Sequence, residues 1–452
     1  MQQSRRTFYW IFSLMISPWM LAQAQSTTSL QEVWKVVEKN SYLLQGQSYE
    51  IQAAQQSQES AENHDLPRFY MDLKSYQTND PGTNFFGLLQ QRSLQNSDFA
   101  VDSINHPSDH LFHRASLGVD LNLYEGGFSK SVKSMKNSLL RSNQLEMENK
   151  KVQTYAEVGY LYGSLAIVLK QEQKMLQLEK QLQSFIQTYQ LGAKSNPVGY
   201  SGLLGLKSFA NRLKSYLNQY KSEKESYRSS LEELGWKVQN WTPEFSGIVS
   251  FLQKYFPWEN KMNLDHPSYA MQSMQQNIKS MQEMVPMEKS KLLPRAGVFA
   301  ETYLFQGNRD TSQGAMAGVY LQWNLFHPET NSNVKELQFK NMAAEKFYQA
   351  QLQQENLQIQ NMKNSVQTLQ ENLLLIQQND QLSQQQTQTM ISLFKNGSVH
   401  ILQLIDLLNR RAEILDQEKL VEIELLKTSS QSIQKVEFQF PEEVKPTPKD
   451  TL

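Results

Sequence analysis

His106, His110 and His113 crowd one short stretch of the chain, and neutral imidazoles so spaced can ligate zinc or copper. The stretch reads as loop, which fixes no ligand geometry, and no thiolate can join it because the chain contains 0 cysteines. A metal site is therefore not expected. Other chemistry finds no frame either. There is no glycine-rich phosphate loop, no Gly-x-Ser-x-Gly elbow and no glutamate beside a helical pair of histidines. The sequence reads as a non-enzyme without a cofactor. Met271, Met274, Met281 and Met284, with Tyr189 and Tyr200, could form recognition surfaces, but their helical spacing reads as ordinary packing.

Composition narrows the class. The net charge is −1, and no block of like charge suits nucleic acid or an anionic membrane surface. The mean hydropathy is −0.58, with long tracts of Gln, Ser, Lys, Glu and Asn that suit exposed helices better than a thick core. The missing cysteines also exclude a disulfide framework and a lipid-anchoring thiol.

At the N-terminus Arg5-Arg6 precede an apolar run, Phe8 to Leu21, followed by Ala22-Gln23-Ala24. Residues 1–24 read as a removed export signal. A general secretory signal is the expected type, although Ser4-Arg5-Arg6-Thr7-Phe8 also has the twin-arginine form. Loss of both arginines takes the charge from −1 to −1 − 2 = −3. No later stretch is apolar for the roughly 18 residues or more of a spanning helix. A mature chain that enters a membrane must do so with strands.

The hydrophobic period changes twice along the chain. A helical pattern over 28–66 stops at Pro67. Alternation then takes over and is clearest at 115–123, where Leu117, Val119, Leu121 and Leu123 oppose Ser116, Gly118, Asp120 and Asn122. The same pattern returns at 318–325, where Val319, Leu321, Trp323 and Leu325 oppose Gly318, Tyr320, Gln322 and Asn324. Residues 68–77 and 295–306 are two further candidate strands, and both follow a Leu-Pro-Arg. Strands with such unmixed faces separate an apolar medium from a polar one. Leu117, Val119, Leu121, Val319, Leu321 and Trp323 are the expected lipid-facing set. Asp120, Asn122, Tyr320, Gln322 and Asn324 are expected to face a lumen.

Long helical patterns follow each strand pair, over 129–190 and 201–235, then 331–395 and 400–436. A helix of about 60 residues is about 90 Å long, far beyond a globular core. Met362, Val366, Leu369, Leu373 and Ile376 keep a heptad seam through the glutamine-rich part, which argues for a packed helix over disorder. Breaks at Tyr189 to Gly192 and at Phe394 to Gly397 mark two hairpin tips. The unit of helix, two strands and a long helical hairpin thus occurs twice, at 25–243 and 244–438. The first copy carries an extra loop over 78–112 and a tip near 192–199. The second has strands within 295–325, a tip near 396–400, and is followed by a tail at 439–452.

Four amphipathic strands cannot close a barrel, and an open edge in lipid leaves unpaired backbone groups costing several kcal/mol each. Three chains would supply 3 × 4 = 12 strands, enough for an aqueous lumen.

The sequence resembles the TolC-like outer-membrane efflux proteins over nearly the whole mature chain. The resemblance rests on both Leu-Pro-Arg strand openings, on Leu123-Tyr124-Glu125-Gly126-Gly127 after the second strand, and on Asn84-Phe85-Phe86-Gly87-Leu88-Leu89-Gln90-Gln91-Arg92 with Asn96-Ser97-Asp98-Phe99 and Ile104-Asn105-His106-Pro107 in the long loop. Its most specific part runs from Phe394-Lys395-Asn396-Gly397-Ser398 through Asp406 to Arg410. It implies a mainly α fold with long coiled-coil hairpins and a transmembrane β-barrel shared by a homotrimer. A helical tunnel then crosses the periplasm to a periplasmic adaptor protein and an inner-membrane transporter, in an efflux or type I secretion system.

The resemblance also places a periplasmic gate at the tips, around Gly192, Phe394, Gly397, Gln403 and Asp406. Asp406 matches one carboxylate of the family's constriction ring, and Gln403 stands where the second would be. The first tip departs from the family with extra residues from Gly192 to Gly199, and His327-Pro328 replace a Gly-Gly. Two other classes stay open from the residues alone: a periplasmic coiled-coil adaptor or scaffold, and an outer-membrane structural or adhesin barrel.

Overall fold

A computed structural model describes residues 26–193, 197–257, 267–396 and 398–441. The expected export signal, Gly397 and most of the tail lie outside them.

Two helices dominate: α5, Phe128–Ala193, and α9, Pro328–Lys395, of 66 and 68 residues. At 1.5 Å per residue each is about 100 Å long. Antiparallel to them run α6, Pro197–Glu233, and α10, Ile401–Ser432, towards one end, and α2, Tyr42–Glu62, and α8, Tyr269–Ser290, towards the other. The expected heptad seam is the buried stripe of α9, with Val366 and Leu373 inside and Leu374 and Leu375 exposed. On α8 the expected packing role holds for Met271, which is 2% exposed, while Met274, Met281 and Met284 are half-buried. Ser142 and Ser273 bring α5 and α8 close enough for a 2.9 Å hydroxyl contact.

Between these ends is an aromatic waist. Strand β1, Ser26–Thr28, pairs in parallel with β4, Trp241–Pro243. Helices α1, Leu30–Asn40, and α7, Ile248–Tyr255, pack with them on α5. The Tyr162 hydroxyl donates to the carbonyls of Thr28 at 2.7 Å and Glu244 at 3.0 Å. Phe438 and Phe440 close over Tyr155 and Trp34. The continuous helix expected over 28–66 is broken at Ser41, which leaves α1 and caps α2 with its hydroxyl. Ser29 and Glu32 form a capping box on α1.

The far end carries one antiparallel sheet in the order β2-β3-β5-β6. Its strands are β2, Arg68–Thr78; β3, His110–Glu125; β5, Arg295–Gly307; and β6, Thr311–Gln322. Both outer strands, β2 and β6, have an open edge. The turn from β3 into α5 needs Gly126 and Gly127, at φ 64° and 88°, where a side chain would be strained. In the second half Pro328 instead starts α9 in its first turn.

The expected loop over 78–112 is not irregular. Asp80 caps α3, Pro81–Gln90, with Pro81 in the first turn; a short 3-10 turn and α4, Val101–Asn105, follow, and β3 begins at His110. The α3 segment lies against the sheet. Leu88 packs with Phe112 and Phe305, the Ser312 hydroxyl donates to the Gln90 carbonyl, and Arg309 forks onto Asp98 at 2.6 and 2.8 Å. Hydrogen bonds from Arg309 hold the Asp98 carboxyl below its ordinary value of 3.8. That clasp is therefore fully present above the ordinary carboxylate pKa and is lost only as pH falls through the lower, folded one.

Candidate functional site

Register sorts the sheet's side chains onto two faces, since directly paired residues share a face. One face joins Phe69, Met71 and Leu73 of β2 to Val119, Leu117 and Ala115 of β3, to Ala300, Thr302 and Leu304 of β5, and to Ala317 and Ala315 of β6. Its side chains are bare: Phe69 is 79% exposed, Met71 63%, Leu117 58%, Val319 81% and Leu321 72%. So large an apolar patch on a folded chain marks a surface that another phase or chain must cover.

The opposite face is polar and internally paired. Arg114 meets Glu301 at 2.8 Å and lies over the Tyr303 ring at 5.5 Å, while Tyr320 donates to Asn122 at 2.6 Å and Asp120 at 3.3 Å. Aromatics on this face lie across glycines. Tyr70 pairs with Gly118, Tyr303 with Gly314, Phe299 with Gly318 and Tyr320 with Gly297. A Cβ at Gly118, Gly297 or Gly314 would overlap the facing ring. The rings lie flat on the sheet because their partners have no side chain. The sequence shows these residues, but without the register their pairing is invisible.

Of the expected lipid-facing residues, Leu117, Val119, Leu121, Val319 and Leu321 share the apolar face. Asp120, Asn122, Tyr320 and Gln322 share the polar one. Trp323 and Asn324 do not fit the expected strand. β6 ends at Gln322, paired with Arg295, because Pro294 precedes and offers no N–H to extend the ladder. The Trp323 indole instead donates to the Leu292 carbonyl at 3.0 Å. Leu123 also leaves its expected place. A bulge between Asn122 and Tyr124 carries Tyr124 onto the apolar face opposite Ala296.

His110 shares a 3.1 Å contact with the Asn84 amide and packs on Phe112. His113 pairs with Ser75 in the sheet, and His106 ends α4. No group of three His, Asp or Glu able to hold a metal is found among the described residues.

At the other end the tips of both hairpins meet. Leu203 and Leu206 of α6 pack with Ile401, Leu404, Ile405 and Leu408 of α10. Gly202 and Gly205 permit this approach, since a Cβ at Gly202 would stand 2.5 Å from Ile401 and one at Gly205 2.8 Å from Ile405. Phe394 packs on Phe185 and Tyr189 of α5, with ring centroids at 5.3 and 5.7 Å. Gly192 belongs to the last turn of α5. The Gln403 side chain accepts from the His400 amide at 3.3 Å and so caps α10. Asp406 is exposed on the same helix face and pairs with Arg410 at 2.9 Å. Gln403, Asp406 and Arg410 thus form a polar stripe facing away from the packed core.

Halfway up the hairpins is a buried charge network that the sequence does not announce. Lys419 of α10 is fully buried and meets Glu223 of α6 and Asp416, both at 3.1 Å, with its ammonium 4.4 Å from the Tyr220 ring. Lys170 and Lys174 of α5 reach Glu422 at 2.7 Å and Glu418 at 2.5 Å. Burial outweighs Lys170 and raises the Glu422 carboxyl above its ordinary value. The network joins α5, α6 and α10. Its three groups, at 170–174, 223 and 416–422, are far apart in sequence, so no local pattern shows that they meet.

No family model matches this sequence, and no curated protein matches it. Solved structures do. The chain is similar to the CmeC outer membrane channel of Campylobacter jejuni, at 13% identity over 92% of this chain and 89% of that one, with a TM-score of 0.72. It is similar to the outer membrane protein VceC of Vibrio cholerae, at 10% identity over 91% and 97% of the two chains, with a TM-score of 0.71. The open-state MtrE outer membrane channel of Neisseria gonorrhoeae gives 10% identity, 90% and 88% coverage and a TM-score of 0.70. The fold is that of the outer-membrane channels. At these identities the likeness speaks for architecture, which agrees with the fold that the TolC-like resemblance implied.

Proposed function

We propose that this chain is the outer-membrane channel of an efflux or type I secretion system, a passive duct without catalysis of its own. The observation that carries the reading is the two-faced sheet: one bare apolar face, one paired polar face and two open edges, mounted on hairpins about 100 Å long. Lipid covers the apolar face, and copies of the chain close the edges. Three chains give a 12-stranded barrel built from two structural repeats per chain. The hairpins then continue it as a tunnel across the periplasm, and their tips receive an adaptor protein and an inner-membrane transporter. A periplasmic adaptor has no use for an apolar sheet face of this kind, and an adhesin barrel has no use for the hairpins.

The ion preference of the duct follows from its tips. Three copies of Asp406 near a threefold axis concentrate negative potential in a narrow passage and favour cations. Arg410 beside each tempers that field. Purified protein in a planar bilayer is expected to conduct with a cation preference, and Asp406→Ala is expected to weaken it. Absence of conductance would contradict the duct; an unchanged selectivity in Asp406→Ala would contradict the ring alone.

A further inference from the structure

We propose that the segment between β2 and β3 is an inward-folded plug, and that three copies of it block the extracellular mouth of the duct to bulky solutes while still passing water and small ions. The inference rests on the trimeric barrel proposed above. What carries it is the face on which α3 lies. Phe112 and Phe305, which pack on Leu88, alternate in register with Arg114 and Tyr303 and so stand on the polar face. Ser312, which holds the Gln90 carbonyl, is on that face of β6, and His110, which touches Asn84, is on that face of β3. A Cβ at Gly87 would overlap the Phe112 ring, and one at Gly307 would overlap Gln91, so helix and sheet are in close contact. Arg309, in the β5 to β6 turn, fastens the far side through Asp98, and Arg92 donates to the Gln313 carbonyl at 3.2 Å. An adhesive loop would project outward from the strand ends. This one is tied down over the face that lines the lumen.

Size decides what it does there. Twelve strands about 4.8 Å apart and tilted by about 40° enclose a backbone circle of about 24 Å diameter. Three helices each about 10 Å wide need about 22 Å before any lining side chain is counted, so three copies of α3, held at the strand ends by Phe112, Phe305 and Ser312, leave no passage for a bulky solute at the mouth. The side of the segment turned away from the sheet is apolar: Phe86 is 61% exposed, Leu89 48% and Phe99 58%, with Phe85 in ring contact with both phenylalanines. The occupant of that patch is the same patch of the other two copies, meeting on the axis. The duct would then be closed to bulky solutes, though not to small ions, at its outer end independently of its periplasmic tips.

Because the chain has 0 cysteines, Asp72→Cys on the polar face gives a single reporter below the plug. In intact cells its labelling by a bulky membrane-impermeant maleimide reads the outer mouth alone. Replacing residues 81–105 by a short Gly-Ser linker is expected to speed labelling at least tenfold, and Arg309→Ala, which keeps the segment but frees its clasp, to speed it by a smaller factor. Phe86→Cys is expected to form an interchain disulfide under mild oxidation. Equal labelling rates with and without the segment, in protein that still runs as a trimer, would overturn the plug. A monomeric mass would overturn the barrel reading instead.

Discussion

Leu117→Arg is expected to abolish assembly in the outer membrane. Leu117 lies near the middle of the apolar band, with Met71 and Thr302 as its neighbours across β2 and β5. An arginine at the bilayer midplane of a barrel costs about 2–4 kcal/mol. Three copies raise the penalty to about 6–12 kcal/mol per trimer, where about 1.4 kcal/mol is already a factor of ten. Recovery of trimer from outer-membrane fractions should fall more than tenfold. Met316→Arg is the matched control. Met316 is also apolar and 45% exposed, but it stands opposite Glu301 on the polar face. It should assemble normally, and equal behaviour of the two variants would contradict the assignment of the faces.

Lys419→Ala is expected to loosen the lower hairpins by about 3–5 kcal/mol, the usual cost of removing one member of a buried ion pair. The loss comes from what stays behind: Glu223 and Asp416 lose their shared cation, and the Tyr220 ring loses the ammonium stacked on it. Lys419→Met, which keeps most of the volume, should cost nearly as much. Adding Glu223→Gln and Asp416→Asn to it should recover most of the loss. A fall in the urea midpoint followed by helical circular dichroism reads the effect; a shift worth under about 0.5 kcal/mol, typical of a surface site, would contradict the buried role. Since Lys419 and Glu223 tie α10 to α6, the single variant should also raise the resting conductance.

Much of the fold was legible because alternation and the heptad seam are local signals. The two-faced strands were readable from Leu117 to Leu121 without any contact being known. What escaped depended on partners. The end of β6 at Gln322 is set by Pro294 on the neighbouring strand, and the bulge at Leu123 leaves the alternation of letters undisturbed. The parallel pairing of β1 with β4 involves 3 residues on each side, too few for a periodic signal. The helix α3 had readable marks, Asp80 as cap and Pro81 behind it, but a run rich in Asn, Gly and Phe passes for loop until Phe112 and Phe305 are seen beneath it. At the tips, the resemblance supplied Asp406, whereas the glycines that let α6 and α10 meet, Gly202 and Gly205, gained meaning only from the packing.

If copies of this chain close the open edges of β2 and β6, native mass spectrometry of protein extracted from outer membranes in mild detergent, corrected for bound detergent, will give a mass of three chains. A folded monomer would contradict that closure, because a sheet with an apolar face and two bare edges has no stable place in a bilayer by itself.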